Sequence, residues 1–255
     1  MKRTDLLSFT DDLLNIREYH DYGPNGLQIE GKTEIKKLAF AVSATRYSVE
    51  QAVKLGTDAL FVHHGLFWKF HGARSITKAF YHRVAPLIKN DINLIGYHLP
   101  LDGHIEIGNA ASLAMRIGMD KLKPFGDYKG MHTGVWGEFV KPPTAIELAS
   151  TLKNTLNHEI IHAAGDADPI KTLGIITGGA NSDWVQAQRM GLDAYLTGEI
   201  SEHDWHEASE GGVHFFAGGH NATEQFGIQS LMKVIHEKFG DEEHEYFFIP
   251  SANPA

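Results

Sequence analysis

The chain contains no cysteine. Disulfides, thiolate nucleophiles, iron–sulfur clusters and cysteine-type zinc sites are therefore excluded, and any metal must be held by His, Asp or Glu. Long apolar runs are missing as well. None reaches the length of a bilayer span, and Asp11 and Asp12 interrupt the stretch after Lys2-Arg3 before a signal-peptide core can form. No membrane partner is expected, and the cytoplasm is the expected location. Positive charge is scarce: 23 Lys and Arg stand against 32 Asp and Glu, a formal net charge of -9. That balance speaks against a nucleic-acid backbone as the main partner. The 255 residues, 42% hydrophobic and 22% charged, are enough for a sizeable core in one large domain or two intimate ones.

Hydrophobic patterning gives an α/β reading. Leu6, Phe9, Leu13, Leu14 and Ile16 recur at helical spacing, so Leu6–Glu18 is expected to be an amphipathic helix, followed by the turn formers Asp21–Gly26. From Lys37 the pattern runs strand (Leu38–Val42), helix (Ser48–Leu55), strand (Ala59–Val62), which predicts parallel strands. The same order returns without a gap at an offset of 135 positions. Leu38 matches Leu173, Gln51-Ala52 matches Gln186-Ala187, Gly56 matches Gly191, and Asp58-Ala59 matches Asp193-Ala194. An internal duplication accounts for this order, giving two similar, intimately packed α/β lobes with a ligand site in the cleft between them. Residues 1–127 are expected to form the first lobe, 128–168 a connecting strand–helix segment, and 169–255 the second lobe. In the connector, Met131–Val140 reads as a strand at an edge or in a close contact because of Gly134 and Gly137. Thr144-Ala145-Ile146-Glu147 has capping-box spacing and opens a helix to about Leu156. A final helix, Ile228–Lys238, and a short strand, Tyr246–Ile249, close the chain.

Histidine is abundant, with 16 residues, and three stretches place it where strands end. His63-His64 follows Ala59–Val62. His98 follows Ile92–Ile95, with Asp102 four residues on. His220 follows Val213–Ala217, with Glu224 four residues on. Each segment alone reads more readily as polar loop residues, and Glu224 alone as the carboxylate of a capping box opened by Asn221. Together they offer four imidazoles and two carboxylates, enough for two divalent metal ions. Nitrogen and oxygen donors without sulfur suit Zn, Fe, Mn, Co or Ni and disfavour Mg or Ca. Two adjacent imidazoles at a strand exit can address two ions about 3.5–4 Å apart. The division expected from sequence makes Glu224 the bridge, with His64 and Asp102 on one ion and His63 and His220 on the other. His98 is then a further ligand or a neighbour that orients one. Glu199, which the repeat aligns with His64, and His104 and His203 are candidate proton donors or acceptors near the cleft. Gly178-Gly179 follows a strand but matches no phosphate-loop fingerprint.

These motifs resemble a known family. Tyr22-Gly23-Pro24-Asn25-Gly26-Leu27-Gln28, His63-His64-Gly65, His98-Leu99-Pro100-Leu101-Asp102, Ile176-Thr177-Gly178-Gly179-Ala180, Leu196-Thr197-Gly198-Glu199 and Gly219-His220-Asn221-Ala222-Thr223-Glu224 occur in one fixed order over nearly the whole chain. In this the chain resembles the NIF-three-like dinuclear-metal family, whose members are often called GTP cyclohydrolase I type 2 homologues. One departure is Asn221, where the family commonly has Tyr. The resemblance implies two α/β lobes and a ring-shaped homohexamer with metal sites facing an interior cavity. It also implies a dinuclear site using His63, His64, Asp102, His220 and Glu224, with His98 close by.

The leading functional expectation is a metal-dependent hydrolase. In it two ions activate a bridging water against a nucleotide or another small phosphorylated or heterocyclic substrate. The alternative from the same ligands is a non-enzymatic metal carrier or cofactor-assembly protein, such as an iron chaperone. A third reading is a scaffold whose metal is structural.

Overall fold

The computed structural model describes residues 1–255. Eleven strands run in order: β1 (Gly26–Ile29), β2 (Lys37–Ser43), β3 (Ala59–His64), β4 (Asn93–Gly96), β5 (Met119–Tyr128), β6 (Met131–Phe139), β7 (Ile161–Ala163), β8 (Thr172–Ile175), β9 (Ala194–Thr197), β10 (His214–Ala217) and β11 (Glu245–Phe248). The helices are α1 (Arg3–Leu13), α2 (Arg46–Leu55), α3 (Lys78–Lys89), α4 (Leu99–Gly103), α5 (Asn109–Arg116), α6 (Ala145–Leu156), α7 (Trp184–Met190), α8 (Glu202–Glu210), α9 (His220–Thr223) and α10 (Gln225–Phe239). None is long and apolar enough to cross a membrane. The fold is α/β, with two sheets and two compact units. One unit is Met1–Leu101 with Ile228–Ala252; the other is Asp102–Gly227 with Asn253–Ala255.

The first unit carries a five-stranded sheet of order β1-β4-β3-β2-β11. Its central strands are buried on both faces, as their continuous apolar runs require. Ala39, Ala41, Leu60, Val62 and Leu94 alternate onto one face and pack against Val49 and Ala52 of α2 and Phe80, Val84 and Leu87 of α3. The second unit has six strands in the order β5-β6-β8-β9-β10-β7. Val135, Leu173, Ile175, Leu196 and Phe216 meet α5 and α6 on one face. Tyr195, Phe215 and Ala217 meet Ala187 of α7 and Ala208 of α8 on the other.

The sequence repeat reappears as repeated geometry inside each unit. β2 and β3 pair in parallel with Leu38 opposite Ala59, and β8 and β9 with Leu173 opposite Ala194. The helix after the first strand ends in both on a left-handed glycine, Gly56 at φ 65° and Gly191 at φ 69°. The next carboxylate closes the start of the first strand in both. Asp58 Oδ2 accepts from the Lys36 and Lys37 amides, and Asp193 Oδ2 from the Lys171 and Thr172 amides.

Several expectations change. The first helix is shorter than Leu6–Glu18: α1 stops at Leu13, and only a 3-10 turn covers Ile16–Glu18. β6 is an interior strand, flanked by β5 and β8, so of the two readings of its glycines the close contact applies. A Cβ at Gly134 would collide with the Ile175 carbonyl. β5 has no counterpart in the sequence reading, because Lys121, Lys123 and Pro124 break its alternation, which an edge strand tolerates. The units are also cut differently from 1–127, 128–168 and 169–255. β6 and α6 belong to the sheet and core of the second unit, while β11 pairs with β2 in the first. The capping box at α6 is as expected, with Thr144 and Glu147 exchanging both bonds.

Candidate metal centre

In the first unit three imidazoles converge at the C-terminal ends of neighbouring parallel strands, where α/β folds hold ligands. The ligand nitrogens of His63, His64 and His98 lie within 4.8 Å of one another. His63 is buried at the end of β3, and its Nδ1 donates to the Tyr97 carbonyl at 2.9 Å. A carbonyl only accepts, so the proton sits on Nδ1 and Nε2 carries the lone pair. His98 Nδ1 is held at 2.7 Å by the Asp21 carboxylate, which fixes the same tautomer. His64 Nδ1 lies 3.0 Å from Ser43 Oγ of the adjoining strand.

The Asp21–Gln28 segment holds His98 and the chain that follows the His pair. Asp21 accepts from the His98 ring, the Leu99 amide, the Asn25 side chain and the Tyr22 amide. Burial pushes the Asp21 carboxyl up, but those donors outweigh it and hold its pKa below the ordinary value. Asn25 Oδ1 also accepts the His98 amide at 2.8 Å. Gln28 donates to the Pro24 carbonyl and accepts the Leu66 amide, so it clamps the chain just after the His pair. Gly65 leaves room for that amide side chain, since a Cβ there would strike it. Sequence reading took Asp21 for a turn former. Its i to i+4 spacing from Asn25 was the available signal, but nothing local links it to His98.

The second unit presents two carboxylates and one imidazole. Asp102, near the end of α4, is 5% exposed, and its Oδ1 accepts from Asn109 Nδ2 at 2.8 Å and Thr177 Oγ1 at 3.0 Å. His220 opens α9 between two acids: Nδ1 lies 2.6 Å from Glu199 Oε1 and Nε2 3.3 Å from Glu224 Oε1. Burial pushes the His220 pKa down, yet the hydrogen bonds and charges of Glu224 and Glu199 dominate and raise it to about 9. Glu224 is buried, 3% exposed, between α9 and α10. Gly178, at φ +72°, lies against it, and a side chain there would collide with its carboxylate. Gly178 thus makes room for an acid.

Glu199, a candidate acid/base from sequence, is tied to His220. His104 Nδ1 accepts the Glu106 and Ile107 amides, closing the turn after α4. His203 is exposed on α8 beside Asp204. The candidate metal ligands, by contrast, come from residues spread across the chain. The donor set fits divalent transition ions: imidazole and carboxylate, with ring tautomers fixed from behind by protein oxygens.

The description Duf34/NIF3 (NGG1p interacting factor 3) matches residues 1–254. The chain belongs to this family. A curated relative from Escherichia coli K12, called GTP cyclohydrolase 1 type 2 homolog, is 40% identical over 261 residues, covering 100% of both chains. A structural-genomics structure of protein ybgI, described as of unknown function, has a TM-score of 0.93 at 38% identity over 100% of both chains. A structure from Thermus thermophilus has a TM-score of 0.88 at 30% identity, again over 100% of both.

Proposed function

We propose that this Duf34/NIF3 protein is a dinuclear metal-dependent hydrolase acting on a nucleotide or another small phosphorylated or heterocyclic substrate. The observation that carries the reading is the shared wiring of the imidazoles. His63, His98 and His220 each direct Nδ1 at a carbonyl or carboxylate oxygen, the arrangement that prepares Nε2 for a cation. Two ligand sets support two ions: His64, His220 and Glu224, and His63, Asp102 and Glu224. This division differs from the one expected from sequence, which placed His64 with Asp102 and His63 with His220. Glu224 remains common to both sets. His63 and His64 fall in different sets of these two, so each can serve a different ion. His98 would complete a third set with them.

When bound, the pair of ions would polarise the scissile group and acidify a water. The chain's own residues bind and orient: Asp21 and Glu199 hold the rings of His98 and His220, and Asn109 and Thr177 hold Asp102. The name of the curated relatives agrees with a nucleotide substrate. The matched strand registers of the two units support an origin by duplication into two similar α/β lobes. A homohexamer agrees with exposed apolar side chains such as Val140 and Ile146, and would run at six times the 28.3 kDa chain mass.

The test has two parts. Elemental analysis of protein purified without added metal should find about two ions per chain, falling to one or none in Glu224→Ala. Metal-loaded protein should turn over at least one member of a nucleotide and phosphoester panel. Bound metal that exchanges freely, with no turnover, would favour the carrier reading instead.

A further inference from the structure

The segment joining β3 to α3 departs from the charge of the chain. Between Asp58 and Asp91 there is no acidic residue, while Lys69, Arg74, Lys78, Arg83 and Lys89 are all present. In a protein of net charge -9 this is a local reversal. Just beyond His64 the segment encloses a pocket of about 230 Å³, lined by Pro24, Leu66, Trp68, His71 and Arg74 among others. Its size is below that of most organic-ligand clefts, as befits a subsite open to one side, and its lining pairs aromatic surface with cationic heads.

The two kinds of group are arranged in sequence from the imidazole cluster outward. Trp68 meets His98 edge-on at 5.0 Å and lies 6.1 Å from the His64 ring, and Phe70 stacks on it at 5.6 Å with planes 14° apart. Phe70 is 68% exposed, an apolar surface no core requirement explains. Arg74 lies over the Phe80 ring at 4.0 Å, and its Nη1 is 3.3 Å from His71 Nδ1. That stacking pre-orients the guanidinium, and no carboxylate neutralises it. Lys69 Nζ donates to the Asp21 carbonyl at 2.7 Å, which ties this wall to the residue holding His98.

We propose that this pocket is the recognition subsite of the hydrolase and that it takes a planar heteroaromatic monophosphate, with the ring on Trp68 and the phosphate at Arg74 and His71. The assignment rests on the hydrolase reading for its purpose but not for its test. A stacking face tolerates any base, and a guanidinium fork pairs with a phosphate through two donors. A chain whose net charge has the same sign would otherwise repel the anion, so the carboxylate-free segment supplies the local field that admits it.

Binding is measured by calorimetry on the full chain in EDTA, so that the result does not depend on metal or turnover. The probes are the four nucleoside monophosphates, their nucleosides and inorganic phosphate. At least one monophosphate should bind about 10-fold more tightly than its nucleoside and than phosphate alone. Arg74→Gln, at an exposed position, should erase the advantage over the nucleoside. Trp68→Leu should weaken nucleotide and nucleoside about 10-fold while leaving phosphate unchanged. Absence of nucleotide binding by the unaltered protein overturns the proposal. So does binding that neither variant weakens, or phosphate binding as tightly as nucleotide. A hydrolase that fails every turnover assay yet passes this one would keep the subsite and lose the reaction.

Discussion

At the scale of single residues, the centre is built by what stands behind each ligand. Replacing Asp21 by Asn removes the negative charge that fixes the His98 tautomer and leaves the ring in place. Metal affinity should fall about 10–100-fold, read by competition with a chromogenic chelator. An unchanged affinity would remove His98 from the ligand set. His220 gives a pH prediction with a definite sign. Its folded pKa of about 9 lies above the ordinary 6.5, so its contribution to metal-free stability is complete below 6.5 and is lost as pH rises through 9. Denaturant titrations of EDTA-treated protein should therefore show stability declining over that window, and His220→Gln should flatten the decline. Because the ring is protonated near neutrality, loading of an ion at Nε2 should release a proton, visible as a buffer-dependent binding enthalpy.

At the scale of elements, the two strand–helix–strand repeats should behave alike. Asp58 accepts two strand amides and the Lys32 ammonium, and although burial raises its pKa, these donors outweigh that and hold it low. Its stabilisation is present above pH 3.8 and is lost as pH falls through the lowered value. Asp58→Asn and Asp193→Asn should each cost about 1–3 kcal/mol in urea unfolding, since each leaves strand amides poorly paired. A large cost for one and none for the other would break the equivalence. Thr144→Ala removes the α6 cap and should cost about 1 kcal/mol with metal content unchanged, which makes it a control for stability effects alone.

At the scale of the whole molecule, the proposed centre draws its ligands from residues spread across the chain and should couple metal to global stability. An ion at about 1,000 times its dissociation constant adds about 4 kcal/mol, which for a chain of this length raises Tm by about 10 °C. His64→Ala should remove most of that rise while changing the metal-free Tm little. A rise that survives in His64→Ala would mean that the stabilising metal sits elsewhere.

Much of this was legible in the residue order, and for a physical reason in each case. Strand and helix alternation, the repeat and the α6 capping box are local or periodic properties. The absence of cysteine restricted the metal donors, and His at strand ends marked the candidate ligands. β5 was not legible, because an edge strand with Pro124 shows no pattern. The placement of β11 beside β2 was not legible either, since pairing between residues about two hundred apart leaves no trace in spacing. The same holds for Asp21 behind His98, Gly178 beneath Glu224 and the cationic aromatic pocket after His64. Composition and periodicity by themselves determined the fold class and the donor chemistry, because both are written in residue type and local order. Only the tertiary structure decided which oxygens fix each ring, since long-range packing alone brings them into hydrogen-bonding distance.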